Sequence, residues 1–219
     1  MNPLSGLLRY LALGLLLLTL AGCEETRFES PLGDNIETCD TRWKGLWLNP
    51  KGDDREAEGL FVDAECRLLV ITQPEKGGPL KPVHVPLNFV HAGGKDYVVV
   101  ADDQLKGLVD LDPPPAVTPK PARSYFFARY RLRGDRLEIY YADTQRIAKL
   151  LIDDKLRGTL SKTPGTLHAY VMGDRATMLD IVRRLPVFAD KPGAVLARST
   201  QSLEDYERDL LRRQRHDRR

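Results

Sequence analysis

The sequence predicts an α+β fold dominated by β structure: an antiparallel curved sheet or partial barrel, with two helices late in the chain and a charged helical tail at the C-terminus. Three observations carry this. Ser124 to Arg133 and Arg136 to Ala142 alternate apolar and polar side chains around Gly134-Asp135, the period of two half-buried strands joined by a primed turn. Val83 to His91 and Lys95 to Ala101 form a second apolar pair, split by Gly93-Gly94. Apolar residues at helical spacing occur in two stretches that both follow Asp143. Together they predict one domain, from about residue 36 to residue 200, of about seven or eight strands joined mainly by hairpins.

In chain order, residues 1–22 read as a secretory leader. A short start with Arg9 is followed by a leucine-rich run, Leu11 to Leu20, and then by small Ala21 and Gly22 before Cys23. The run is about a dozen residues, short of the roughly 20 that a membrane-spanning helix requires. Leu20-Ala21-Gly22-Cys23 resembles the lipobox of bacterial lipoproteins, L-[AS]-[GA]-C, at every position. The resemblance covers the leader alone. It implies that Cys23 becomes the first mature residue, with its thiol diacylated and its new amine acylated, and that the lipid bilayer is the first partner. In that family an Asp after the cysteine favours the inner membrane in enteric bacteria. Glu24 stands there instead, which implies the outer membrane, facing the periplasm. Glu24 to Thr38 is polar, carries Pro31 and Gly33 and shows no period. It reads as a tether, with residues 23–35 outside the folded domain and a reach on the order of 50 Å when extended.

Once Cys23 is acylated, Cys39 and Cys66 remain. Two cysteines in an oxidising compartment suggest one disulfide. It would close a loop of about 28 residues and contribute roughly 3–4 kcal/mol in the chain-entropy treatment. Neither cysteine belongs to a C-x-x-C pair or has a histidine nearby in sequence, so no metal site is expected.

The first strand candidate is Trp43 to Leu48, which contains Gly45-Leu46-Trp47. This triplet resembles the G-x-W signature on the first strand of lipocalins and related calycin barrels. In those proteins the Trp plugs the closed end of the barrel, the Gly lets the backbone pass closely, and a late Arg pairs with the Trp. Arg183, Arg184 and Arg198 all stand late enough to be that partner. An ordinary core tryptophan is the alternative reading, and no clean T-D-Y-like second motif accompanies the triplet. Gly59 to Asp63 and Cys66 to Thr72 are β-leaning runs around Ala64-Glu65, and Gln73 to Pro82 is a loop. With Gly93-Gly94 as turn centres, Val90 faces Tyr97, Phe89 faces Val98, and His91 faces Asp96 as a hairpin ion pair. Asp102 to Ala122, with Pro113-Pro114-Pro115, Pro119 and Pro121, reads as an exposed, stiff connector.

Around Gly134-Asp135, Leu132 falls opposite Leu137, Tyr130 opposite Ile139 and Arg131 opposite Glu138, so like meets like and charge meets counter-charge. Asp143 or Thr144 caps a helix with Ile147, Leu150 and Leu151 on one face. Thr166 to Met172 is another strand. Asp174 caps a second helix that sets Met178, Leu179, Val182 and Leu185 on one side and ends before Pro186. Val195 to Arg198 returns a short last strand. Residues 201–219 form a charged helix with a thin stripe of Leu203, Tyr206, Leu210 and Leu211. Its end, Arg212 to Arg219, is strongly basic and reads as a solvated tail, with anionic headgroups as an alternative contact.

The functional reading is spare. Net charge is +2 and 7% of residues are aromatic, which gives no support to nucleic-acid binding. No nucleophile elbow, zincin motif, P-loop or dinucleotide fingerprint occurs, and no cofactor is implied. The sequence is therefore read as a non-enzymatic envelope interaction protein, with a protein partner in the envelope. The alternative is a lipocalin-like carrier that encloses an apolar ligand in a cavity of roughly 300 Å³ or more, lined by residues such as Phe126, Tyr130 and Val98.

Overall fold

A computed structural model describes residues 24–52, 59–105, 111, 114–163 and 165–216. Among these, twelve strands form one mixed sheet that curves without closing. The strands are β1 (Glu24–Phe28), β2 (Gly45–Leu48), β3 (Gly59–Val62), β4 (Leu68–Ile71), β5 (Val83–His84), β6 (Asn88–Ala92), β7 (Lys95–Ala101), β8 (Tyr125–Arg133), β9 (Arg136–Tyr141), β10 (Gly158–Thr163), β11 (Thr166–Val171) and β12 (Ala194–Ser199). Three helices accompany them: α1 (Thr144–Ile152), α2 (Arg175–Arg184) and α3 (Leu203–His216).

The sheet forks at β8. One edge of β8 pairs with β7, which pairs with β6. The other edge pairs with β9 along Ala128 to Arg133 and with β1 at Tyr125. From β9 the order continues through β12, β2, β3, β4 and β5. From β1 it continues to β11, in parallel, and β10. Both hairpins take the expected register: His91 pairs with Asp96, Val90 with Tyr97, Leu132 with Leu137, and Arg131 with Glu138.

Strand alternation gives most of the sheet two dry faces. The concave face gathers Trp43, Trp47, Leu60, Val62, Val70, Phe89, Val98, Phe126, Tyr130, Ile139 and Leu196 into one core. Phe126, Tyr130 and Val98 thus share an interior, as expected. The convex face of β7–β9 and β11 packs against α1 and α2 through Tyr97, Val99, Phe127, Ile147, Met178 and Val182. Asp143 and Asp174 cap α1 and α2 as the sequence indicates. On α2, Ile181 rather than Leu179 or Leu185 joins Met178 and Val182 among the buried residues.

Three expectations are corrected. The stretch read as a tether is part of the fold. Glu25 to Phe28 are buried in β1, and Leu32 is fully buried beyond it. The short polar residues that suggested a linker are held by pairing to β11 rather than by an apolar period. The last helix is docked rather than free, with Tyr206 and Leu210 packing on Leu46 and Ile71. Gln214, 1% exposed, exchanges side-chain hydrogen bonds with Gln73 and accepts from the Gly77 backbone N–H. Finally, the run from Val83 to His91 is two strands, β5 and β6, so His84 and His91 lie on different strands.

Candidate functional site

The predicted site residues fall in three places. Cys23 lies outside the described residues. Cys39 and Cys66 form a disulfide, with Cα atoms 5.5 Å apart, and tie the segment before β2 to the β3–β4 turn. Gly45 and Trp47 sit at one end of the concave core.

That end is built from a 3-10 turn, Thr41–Trp43, which runs into β2. Trp47 is fully buried and its Nε1 donates to the Trp43 carbonyl oxygen at 2.6 Å. Arg198 lies opposite Trp47 on β12, and its guanidinium sits 4.2 Å from the indole centroid. The same guanidinium donates to the carbonyl oxygens of Lys44 and, at 2.7 Å, of Arg42. Gly45 makes the crossing possible. Its φ is +111°, a conformation that strains any other residue, and a Cβ there would crowd the Arg198 guanidinium at 3.1 Å. Of the three late arginines considered, Arg198 is the partner of Trp47. The sequence held Gly45 and Trp47 in one short motif, but only strand pairing selects Arg198.

Beside this end lies a polar group that no local motif announced. Asp40, with a buried carboxylate, accepts from Arg42 at 2.7 Å and from the hydroxyl of Tyr130, which is 90 residues away. Burial pushes the Asp40 carboxyl up, but the hydrogen bonds from Arg42 and Tyr130 outweigh it and hold it below the usual range. Burial and the adjacent carboxylate push the Tyr130 hydroxyl well above its ordinary value, so it stays a donor. Arg42 reaches Asp96 at 3.2 Å, and Asp96 pairs with His91 at 2.7 Å. His91 in turn stands 3.8 Å from Glu37. The group therefore stitches the segment Glu37 to Arg42 onto β6, β7 and β8, reinforced by the backbone bridge between Glu37 and Phe89.

A second polar group sits on β1. Glu25 and Arg27 are both buried and pair at 2.5 Å. Asp102 lies 3.9 Å from Arg27 and His168 lies 3.7 Å from Glu25. Arg27 also lies over the Phe126 ring, 5.3 Å from its centroid. A buried pair of this kind contributes little net stability, but losing one partner leaves an uncompensated charge and costs several kcal/mol. Reading Glu24 to Thr38 as a tether concealed it. Among the described residues, no cluster of three or more His, Cys, Asp or Glu is arranged to hold a metal ion, and no helix is long and apolar enough to cross a membrane.

No known protein family, curated protein or solved structure matches this chain.

Proposed function

We propose that this chain is a lipid-anchored lipoprotein of the bacterial envelope, held by acylated Cys23 in the outer membrane and facing the periplasm, whose domain acts as a non-enzymatic interaction module. The observation that carries the reading is Leu20-Ala21-Gly22-Cys23, a complete lipobox at the end of a leucine-rich leader. The Cys39–Cys66 disulfide supports it, because such bonds persist in oxidising compartments. The interaction role is supported by the concave face. Its aromatic and branched side chains, including Trp43, Trp47, Phe89 and Phe126, pack on one another as a protein core.

A second reading, a lipocalin-like carrier, has specific support of its own. The Gly45, Trp47 and Arg198 arrangement resembles the closed end of calycin barrels. In addition, the buried Trp43 Nε1 has no acceptor among the described residues, and a buried donor is normally satisfied.

The test is production of the full chain with its leader in a bacterial host, followed by membrane fractionation and intact mass. An acylated mass beginning at Cys23 in the membrane fraction, lost in Cys23→Ser, supports the anchor. An unacylated soluble product refutes it. Native mass spectrometry of the detergent-extracted protein then separates the two roles. A bound apolar molecule released on denaturation favours the carrier, and a bare mass favours the interaction module.

A further inference from the structure

The proposed anchor and the first strand leave no slack between them. β1 begins at Glu24, the residue after Cys23, and consecutive Cα atoms are about 3.8 Å apart. Glu24 is itself held. It pairs with Leu167 of β11, and its carboxylate accepts from the Gln145 side chain at 2.6 Å. The residue next to the proposed anchor is therefore fixed to the sheet.

The direction of β1 then says which end of the domain meets the bilayer. β1 runs antiparallel to β8, with Phe28 opposite Tyr125. Going back from Phe28 to Glu24 thus leads the same way as going forward along β8 to the β8–β9 turn. By the ladder registers the same end holds the β6–β7 turn, the start of β2 and the β10–β11 turn. From Ala128 on, β9 occupies that edge of β8, so β1 leaves it there and Glu24 keeps the β10–β11 turn beside it. A bilayer that holds the preceding residue would present its headgroup layer to this end.

The chemistry at this end fits such a layer. Arg133, Lys95, Lys44 and Lys162 are exposed there, and none is in a salt bridge among the described residues. Most of the neighbouring acids are in ion pairs, Asp135 with Arg198, Asp96 with Arg42 and His91, and Asp63 and Glu65 with Arg67, whereas exposed Glu24 accepts from the neutral Gln145 side chain and has no salt bridge among the described residues. The last described turn of α3, with Arg212 and Arg215, lies instead near Gln73 and Gly77, past the far end of β4. The described part of the basic tail, from Arg212 to Arg215, thus lies away from the anchored side.

Resting on the lipoprotein reading above, we infer that the Arg133 and Lys95 hairpin tips, with Lys44 and Lys162, lie against the phosphates of the bilayer that holds Cys23, so that the domain stands in one fixed orientation with α3 pointing away. Each basic residue near an anionic surface contributes about 1 kcal/mol, or roughly fivefold in an equilibrium.

The experiment uses the full chain, processed and acylated in a bacterial host. It is reconstituted into phosphatidylcholine–phosphatidylglycerol vesicles that carry a headgroup nitroxide lipid. A fluorophore is attached at Arg133→Cys or, at the opposite end, at Arg215→Cys in the last described turn of α3, which lies beside Gln73 and Gly77. The expected result is quenching severalfold stronger at residue 133 than at 215. This difference should collapse when a linker of about 20 Gly/Ser residues, spanning roughly 25 Å, is inserted between Cys23 and Glu24. Lys44→Glu with Lys95→Glu and Lys162→Glu should weaken the quenching at 133. Equal quenching at the two sites, or stronger quenching at 215, in protein whose mass shows acylation overturns the orientation and leaves the anchor intact. An unacylated mass overturns the anchor and the orientation with it.

Discussion

Arg198→Ala should destabilise the domain by about 2–3 kcal/mol. The guanidinium lies over the fully buried Trp47 ring at 4.2 Å, a cation–π contact worth about 0.5–2 kcal/mol depending on desolvation. It also donates to the carbonyl oxygens of Arg42 and Lys44, and a hydrogen bond from a charged donor is worth about 1.5–3 kcal/mol. Because the side chain keeps 30% of its surface in solvent, water would replace part of these contacts in the variant, and the sum is taken at its lower end. Its contact with Asp135, which is 82% exposed, adds little. Arg198→Lys keeps the charge and the aliphatic stem but not the fork that reaches two carbonyls, and should cost about half as much. In a domain of this length 1 kcal/mol shifts Tm by about 2–4 °C, so Arg198→Ala should lower it by about 4–12 °C. The assay is denaturant and thermal unfolding of Glu24–Arg219, which contains every described element, followed by tryptophan fluorescence and far-UV circular dichroism. A loss below about 0.5 kcal/mol, the level of an ordinary surface substitution, would refute the claim that Arg198 closes this end of the core.

Three further outcomes follow from named contacts. Leu210→Ala removes a fully buried side chain from the contact of α3 with Leu46 and Ile71. It should cost about 2–4 kcal/mol and raise hydrogen exchange across α3 before the rest of the domain. Replacing both Cys39 and Cys66 by Ser should cost about 3–4 kcal/mol in equilibrium unfolding. Asp40, whose carboxyl is held below its unfolded value despite burial, should make stability pH-dependent. The contribution is present above the unfolded value, near pH 4, and is lost as pH falls through the lower folded value. Unfolding measured from pH 5 down to pH 2 should therefore show a steeper loss in the parent than in Asp40→Asn.

The fold was legible where one rule acted alone. Gly93-Gly94 and Gly134-Asp135 fixed two turns, and with them six cross-strand pairs. Asp143 and Asp174, each followed by a helical stripe, fixed two helix starts. β1 and β10 were missed for a physical reason. Glu24-Glu25-Thr26-Arg27-Phe28 and Gly158-Thr159-Leu160-Ser161-Lys162-Thr163 carry little apolar alternation, because Glu25 and Arg27 give β1 an ion-paired rather than an apolar face and β10 is an edge strand with no buried residue. At the closed end the sequence could offer Gly45 and Trp47 but three arginines. The choice of Arg198 depends on β12 lying beside β2, a contact between residues 151 positions apart. Of the Asp40 group only the His91–Asp96 pair was legible, from the hairpin register; the contacts of Asp40 and Arg42 with Tyr130 and Asp96 join separate segments.

The fork at β8 makes a last prediction about where the domain begins. β9 leaves the edge of β8 at Ala128, and the remaining backbone groups from Tyr125 to Phe127 need partners. β1 meets this edge at Tyr125 and carries β11 and β10 with it. Its Phe28 ring stacks on Phe127 at 4.0 Å. A chain begun at Ile36, where composition alone places the domain boundary, would lose Phe28 and Leu32, both fully buried. Burial of two such side chains is worth roughly 3–6 kcal/mol, before the five paired positions between β1 and β11 are counted. A typical domain has only about 5–15 kcal/mol in total. The chain begun at Ile36 should therefore be largely unfolded or aggregated, with exposed edges on β8 and β11, while the chain begun at Glu24 unfolds cooperatively. Equal Tm values for the two would show that β1 is an accessory to the sheet and not part of its core.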